Sequence, residues 1–220
     1  MQYIEKSAKE PEHWNDWFTT ENRTYVYNNA GGAGRQYAKE FLLAEQSGLC
    51  AYCQSPLKKT DSSIEHVIPN SQNRNLSTLY HNLVVVCKDP QKDSNGRSHC
   101  DMERGNKLLP PLVFYENAQV TSVSDHAFID ASADGSISAK HNLNDSTNSQ
   151  VQAFVDVLNL NHEKLMRKRN DGWRSITEIF AHVPIHQRKD FWISQLNSVV
   201  RDTGKPYRQY LAIQIRKKLN

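Results

Sequence analysis

Apolar and polar residues alternate in two different ways along the 220-residue chain. In the first half, short apolar runs between polar loops predict two brief strands, SSIEHVI (62–68) and NLVVVC (82–87). In the last third, apolar residues recur at helical spacing, and Phe154, Val155 and Leu158 fall on one face. The pattern therefore predicts an α+β protein whose C-terminal region is mostly helical.

Two helices are predicted beside the strands. Apolar side chains at helical spacing predict a helix over residues 35–46, which Gly48 is placed to end. This helix leads the chain directly into Cys50. The stretch DMERGNKLL (101–109) predicts a short helix with Asp101 in its first turn, closed by the two prolines that follow.

The segment after these elements predicts a hairpin and then a polar linker. AFIDASADGSISAK (127–140) alternates and carries Asp-Gly, which favours a tight turn between two strands. HNLNDSTNSQ (141–150) is predominantly polar and predicts a linker. Further along, Asn161 is placed to cap the helix predicted over the residues that follow it. The chain accordingly divides into an irregular or helical N-terminal segment (1–47), a core (48–112), a hairpin and linker (113–149) and a helical C-terminal region (150–220).

Composition excludes a membrane role and leaves nucleic acid open as a partner. No apolar run approaches roughly eighteen residues, and MQYIEKSAKEPEHW at the start lacks the pattern of a secretory signal, so we expect a cytoplasmic protein. The net charge is +3. Basic residues gather in LMRKRNDGWR (165–174) and in the last seventeen residues (204–220), where a solvated helix face and a phosphate-contacting surface are both open readings.

The four cysteines predict a structural zinc site. Cys50-x2-Cys53 has the spacing of a metal-binding knuckle, and Cys87 with Cys100 supplies the two further thiolates of a tetrahedral ion. Four protein ligands leave no open position for a substrate. Two disulfides, buried free thiols and replacement of Cys100 by the adjacent His99 are the alternatives, and the absent secretory signal argues against disulfides.

A second group of polar residues lies between and beside the cysteines. Glu65-His66 ends a candidate strand, Asn82 starts the next, and Asp101 begins a helix. Neighbouring residues on a strand point to opposite faces, so Glu65 and His66 share a site only where the strand bends or ends, as Pro69 allows. A surface pair and a helix cap are the structural alternatives for these residues.

The order Cys-x2-Cys, Glu-His-Val-Ile-Pro, Asn-Leu, Cys, Cys-Asp-x2-Arg-Gly over residues 48–108 resembles the HNH nuclease family. The resemblance implies a small ββα-metal core, braced by a four-cysteine zinc ribbon and surrounded by helices, that hydrolyses phosphodiester bonds. It implies His66 as general base, Glu65 and Asp101 as ligands of Mg²⁺ or Mn²⁺, and Asn82 as the residue that fixes the loop and orients His66.

The sequence departs from the family pattern in two places. Asp101 stands where His or Asn is common, and Arg104-Gly105 stands where Lys-Gly is common, which keeps the positive charge. His81, directly before the family's Asn, is a further candidate for the site.

Weaker matches outside the core, including the start MQYIEK and LNLNHEKLMRKR (158–169), are similar to the PtuB-like HNH proteins of Septu antiphage systems and related retrons. That resemblance implies a PtuA-type ATPase partner and a nuclease held in check until infection is sensed.

Three functions remain open from the sequence. The first is a metal-dependent HNH endonuclease, acting on DNA and also conceivable on RNA, that serves a defence complex. The second is a non-catalytic zinc-ribbon module that binds nucleic acid or protein. The third is a solitary restriction or homing HNH enzyme, although the chain offers no recognisable DNA-reading domain.

Overall fold

A computed structural model describes residues 6, 10–12, 14, 32–110, 128–141 and 144–220, with residues 32 and 33 described by their backbone alone. Most of the predicted N-terminal segment therefore lies outside the described residues. None of the helices within these ranges has the length and apolar character needed to cross a membrane.

The described part of the chain mixes short strands with longer helices, which confirms the mixed α and β prediction. Six helices are labelled here: α1 (Gly32–Glu45), α2 (Asp101–Arg104), α3 (Asp145–Val157), α4 (Glu163–Ala181), α5 (Arg188–Arg201) and α6 (Arg208–Leu219). Four strands form two antiparallel pairs: β1 (Ser62–His66) with β2 (Leu83–Cys87), and β3 (Ile129–Ala131) with β4 (Ile137–Ala139). Short 3-10 turns occupy Arg74–Leu76, Tyr80–Asn82 and Ile185–Gln187.

Strand β2 is apolar throughout because both of its faces are covered. Leu83 and Val85 belong to a small core that includes Leu42 of α1. Val84 and Val86, which alternate with them, belong to the main core with the C-terminal helices. Glu65 of β1 pairs with Val84, and His66 pairs with Leu83, so the end of β1 lies on a buried, well-defined strand pair.

The C-terminal helices hold the cysteine-bearing loops in place. Helix α6 is buried over its whole middle, from Gln209 to Ile215, as expected of a central helix. Its start is tied to the first knuckle, because the backbone N–H of Gln209 donates to the Gln54 side chain at 3.2 Å. The backbone N–H of Cys100 donates to the Leu158 carbonyl at 2.8 Å. The cysteine-bearing loops and the helical region therefore pack as one body around the main core.

Three local predictions about elements need correction. Helix α2 ends at Arg104 rather than near residue 109, because Gly105 takes a φ of 55°, the left-handed region that glycine enters freely. The segment 141–150 is not a linker throughout, since α3 begins at Asp145 and its cap Asn144 accepts from the Thr147 backbone N–H.

The predicted cap at Asn161 is also wrong. His162 caps α4, and its ring nitrogen accepts from the Lys164 backbone N–H. Asn161 instead bonds both backbone groups of Ile137 on β4, at 2.9 Å each. The Asn161 amide therefore bonds the edge of β4 as the backbone of a neighbouring strand would. A sequence signal for the start of a helix does not predict this contact. The hairpin that carries Asp-Gly is confirmed as β3 and β4.

Candidate metal centre and active site

The four cysteine sulfurs meet at one point. Their Sγ atoms all lie within 4.8 Å of one another. Cys50 and Cys100 are separated by 4.0 Å, and Cys53 and Cys87 by 3.8 Å. A tetrahedral zinc with Zn–S bonds of about 2.3 Å requires S···S separations of about 3.8 Å. A disulfide would require about 2.05 Å, so the spacing fits four thiolates around one ion, and the four residues can hold zinc.

The charge around the cluster also suits a cation. All four cysteines are buried, and burial raises the pKa of the Cys100 thiol. Four adjacent thiolates without a cation would repel one another in this low-dielectric position. The Cys87 backbone N–H points at Cys50 Sγ from 3.4 Å, a contact that suits a thiolate. A divalent ion bound by the thiolates would offset the remaining repulsion.

His99 lies beside the cluster rather than within it. Its Nδ1 is 3.3 Å from Cys100 Sγ and 3.6 Å from Cys87 Sγ. Its Nε2 faces Asp89 at 3.6 Å. Burial lowers the pKa of His99, so the ring is neutral at pH 7 and can donate one N–H toward a sulfur. The four sulfurs surround a common point without it, so His99 need not replace Cys100.

The second site consists of two carboxyl groups brought together by β1 and α2. Asp101 is the first residue of α2, directly after Cys100, so the cysteine cluster fixes its position. Ser63, two residues before Glu65 on the same face of β1, donates to Asp101 Oδ2 at 3.1 Å. Burial, and then the neighbouring Asp101 carboxyl, raise the pKa of Glu65 to about 8. Two carboxyls in one poorly hydrated place form a site that favours a cation.

Arg104 and Tyr52 hold Glu65 in this position. The Arg104 guanidinium, which is 1% exposed, donates to Glu65 Oε1 and forms an ion pair with it. It also donates to the Tyr52 hydroxyl at 2.8 Å, and that hydroxyl lies 3.4 Å from the same Oε1. Both groups engage Oε1, so two donors fix the position of the Glu65 carboxyl.

His66 is the last residue of β1, and the charges of Arg104 and Asp101 act on its ring. Its Nε2 lies 2.9 Å from the Ser77 carbonyl oxygen in the loop between β1 and β2. A carbonyl can only accept, so Nε2 carries the proton and Nδ1 carries the lone pair. Burial lowers the pKa of His66, which keeps the ring neutral at pH 7. The result is an oriented imidazole with its basic nitrogen defined.

Asn82 closes the loop that carries Ser77. Its Oδ1 accepts from the Ile68 backbone N–H at 2.8 Å. Its Nδ2 donates to the carbonyls of Ile68 and Leu76, at 3.0 and 3.1 Å. The side chain is buried and ties both ends of the loop together, so it holds the backbone that fixes the His66 ring.

The structure separates some residues that the sequence placed together. Within the ranges described, the four cysteines are the one group of three or more Cys, His, Asp and Glu side chains whose ligand atoms all lie within 4.8 Å. Glu65 and Asp101 therefore meet as a pair, and His66 is not a third ligand at that distance. His81 faces elsewhere, since the charged groups that act on it are Lys6, Glu10 and Glu45.

Sequence reasoning missed Tyr52 and Ser63 as members of the site. Tyr52 is one of the two spacer residues of the cysteine knuckle, and spacer residues carry no signal in a metal-binding pattern. Ser63 looks like ordinary strand sequence. Its place two residues before Glu65 is the signal that could have found it, because such residues share a strand face.

The donor set of the carboxyl pair fits a small, hard cation. Both donors are carboxyl oxygens, which Mg²⁺ and Mn²⁺ prefer, and two protein carboxylates leave room for water and phosphate oxygens. Burial first, and then the Asp101 carboxyl, raise the pKa of Glu65 although Arg104 lies beside it, so the pair is poorly hydrated and carries two acidic groups against one guanidinium. A divalent cation would balance their charge.

Comparison with known proteins agrees with this geometry. Residues 50–89 match the family model described as HNH endonuclease, a stretch that includes Glu65, His66 and Asn82 and stops before Asp101. The chain is also 26% identical over 140 residues to a Vibrio cholerae serotype O1 biovar El Tor protein described as "Retron Vc95 putative HNH endonuclease". That alignment covers 61% of this chain and 63%, less than two thirds, of the relative.

Proposed function

We propose that the protein is a metal-dependent HNH endonuclease that hydrolyses phosphodiester bonds, with DNA as the first substrate to test. The observation that supports this most is the contact between the Glu65 and Asp101 carboxyls, next in sequence to an oriented neutral imidazole at His66. A zinc-binding module without catalytic activity would not need two carboxyl groups close together beside its cysteines.

The proposed roles follow from the positions of the side chains. Glu65 and Asp101 bind one Mg²⁺ or Mn²⁺, which when bound polarises the phosphate and stabilises the leaving oxygen. His66 Nδ1 takes a proton from the attacking water. The water oxygen bonds to phosphorus, and the bond from phosphorus to the leaving sugar oxygen breaks. Asn82 and Ser77 keep the imidazole oriented during this transfer.

The His66→Ala variant tests the proposal. Loss of a general base lowers the rate by about 10²–10⁴-fold, so plasmid cleavage in Mn²⁺ should fall by that amount. Zinc content and Mn²⁺ binding should persist, because His66 is not among the proposed ligands. His186→Ala, at an exposed position in the Ile185–Gln187 turn, is the matched control and should cleave normally.

Two results would oppose the proposal. One is wild-type protein, loaded with zinc and supplied with Mn²⁺, that cleaves neither double-stranded DNA, single-stranded DNA nor RNA. The other is cleavage that survives His66→Ala, because that activity would come from a different site or a contaminant.

We also propose that the nuclease works in an antiphage defence complex with a PtuA-like ATPase, in the reducing cytoplasm. The retron-associated name of the Vibrio cholerae relative supports this role. Large apolar side chains of the helical region lie exposed, among them Ile179, Ile185 and Ile193, and offer a surface for a partner. Co-purification with an ATPase encoded beside this gene would support the proposal. A protein that is monomeric and fully active beside such an ATPase would contradict it.

A further inference from the structure

The zinc knuckle reaches into the carboxyl site through one side chain. Tyr52 lies between the two knuckle cysteines and is completely buried. Its hydroxyl accepts from Arg104 Nη1 at 2.8 Å and lies 3.4 Å from Glu65 Oε1, toward which it donates. The ring packs edge-on against Phe154 of α3, with centroids 6.3 Å apart. Its position is therefore set by the knuckle and by the main core.

Arg104 connects the same carboxyl to the backbone of the proposed base. Besides Glu65 and Tyr52, its guanidinium donates to the His66 carbonyl at 2.9 Å and to the Val67 carbonyl. Its Nε donates to the Lys107 carbonyl at 2.9 Å, which fixes the guanidinium plane. All three nitrogens are thus engaged, and two of them bond groups at the point where the chain leaves β1.

This arrangement needs a guanidinium and a hydroxyl rather than a charge alone. A lysine has one nitrogen and could reach Glu65 or one carbonyl, but not the whole set. A phenylalanine at position 52 would keep the packing against Phe154 but lose both contacts of the hydroxyl. The two side chains therefore hold Glu65 and the nearby backbone through hydrogen bonds that a positive charge or an aromatic ring alone would not make.

We propose that Tyr52 and Arg104 are positioning residues that aim Glu65 at Asp101 and fix the backbone of His66. Through Tyr52, the zinc knuckle sets the geometry of the cation site as well as bracing the fold. This inference rests on the proposed nuclease function, because it assumes that the carboxyl pair binds a catalytic cation.

Conservative variants with matched controls test the proposal. Tyr52→Phe and Arg104→Lys keep packing and charge, respectively. Tyr210→Phe and Arg169→Lys are the controls, because these buried residues bond the carbonyls of Ser132 and Leu160, away from the site. For each variant we would measure zinc content, melting temperature, Mn²⁺ affinity by electron paramagnetic resonance, and cleavage rate against Mn²⁺ concentration.

Loss of a hydrogen-bonded partner behind a metal ligand weakens metal affinity by about 10–100-fold. We expect a shift of that size for Arg104→Lys and about 3–10-fold for Tyr52→Phe, since the hydroxyl makes fewer contacts. Zinc content should stay at one per chain. Saturating Mn²⁺ should recover most of the maximal rate of Tyr52→Phe, whereas a purely structural role would lower the maximal rate without moving the half-saturating Mn²⁺ concentration. The controls should leave that concentration unchanged.

Two different failures can be distinguished. If wild-type protein binds Mn²⁺ and cleaves, and both variants match it in half-saturating Mn²⁺, the positioning role is wrong while the nuclease function stands. If wild-type protein binds no Mn²⁺ and cleaves nothing, the proposed function fails and the positioning role fails with it.

Discussion

The cysteine cluster and the carboxyl pair lie side by side, joined by the peptide bond between Cys100 and Asp101, yet they are built in opposite ways. The cluster offers four soft donors around one point, which completes the coordination of an ion. The carboxyl pair offers two hard donors and leaves the remaining positions open. A closed site can only stabilise, whereas an open one can bring a phosphate and a cation together.

The two regions also differ in how their charge is balanced without metal. Arg104 and Tyr52 partly compensate Glu65, but the pKa of Glu65 still rises to about 8. The cysteine cluster has four ligands that bind a metal as thiolates, so a bound cation balances their charge as the protons leave. We expect the cluster to bind its metal during folding, and the carboxyl pair to exchange its metal afterwards.

Breaking the cluster should have the largest effect. A structural zinc contributes apparent binding free energies of about 10–16 kcal/mol at pH 7, which exceeds the stability of most domains. Cys100→Ser should therefore lose the zinc and the cooperative unfolding transition, as measured by metal analysis and circular dichroism.

The control for the cluster is Ser55→Ala. Ser55 Oγ lies 3.2 Å from Cys53 Sγ but is not a ligand, so this variant should keep one zinc per chain. A Cys100→Ser protein that retains zinc and melts like wild type would show that the cysteines do not hold a structural ion.

The next largest effect is expected at Asn82, which contributes both to stability and to the orientation of His66. Asn82→Ala removes three hydrogen bonds, each worth about 0.5–1.5 kcal/mol, so the free energy of unfolding in urea should fall by about 2–4 kcal/mol. Cleavage should also slow, because the loop that orients His66 loosens. Asn73→Ala, whose side chain accepts from the exposed Asn75 backbone N–H in the same loop, should cost less than about 1 kcal/mol. Equal stability of the two variants would contradict the role given to Asn82.

The last predicted effect concerns pH. Glu65 keeps a proton below about pH 8 in the folded protein, and a cation must displace that proton. Mn²⁺ affinity should therefore rise by up to tenfold per pH unit between about pH 6 and pH 8 and then level off. Calorimetric titrations at several pH values measure this. An affinity independent of pH over that range would show that Glu65 is not a ligand.

The raised pKa of Glu65 also predicts how the stability of the metal-free protein depends on pH. Because the folded pKa of Glu65 lies above its ordinary value of 4.5, the folded state binds more protons between these values. The contribution of Glu65 to stability is then present at low pH and is lost as pH rises toward 8. Saturating Mn²⁺ should flatten this dependence, while the zinc cluster should leave it unchanged.

The sequence predicted what depends on local spacing and missed what depends on tertiary contacts. The knuckle spacing and the β-branched run of β2 are local signals, and the cysteine cluster and the strand pair agree with them. The end of α2 differs from the prediction because the pattern of residues 101–109 does not reveal the positive φ of Gly105. Tyr52 could not be assigned, because its partners Glu65 and Arg104 come from distant parts of the chain.

The surroundings of His66 could not be predicted from its neighbours in the sequence either. Alternation along β1 predicts that Glu65 and His66 face opposite ways, yet Asp101 and Arg104 act electrostatically on both side chains. The contact that orients His66, the Ser77 carbonyl, lies eleven residues later in an irregular loop. Residue spacing does not predict this contact, because it depends on the loop conformation that the Asn82 side chain stabilises.

The most direct test of the account is to locate a cation in the zinc-loaded protein. Crystals soaked in Mn²⁺ and measured at the manganese absorption edge should show one anomalous peak within bonding distance of Glu65 and Asp101, separate from the zinc among the cysteines. A manganese peak elsewhere, or no peak at millimolar Mn²⁺ above pH 8, would contradict the proposal that the carboxyl pair is a catalytic cation site.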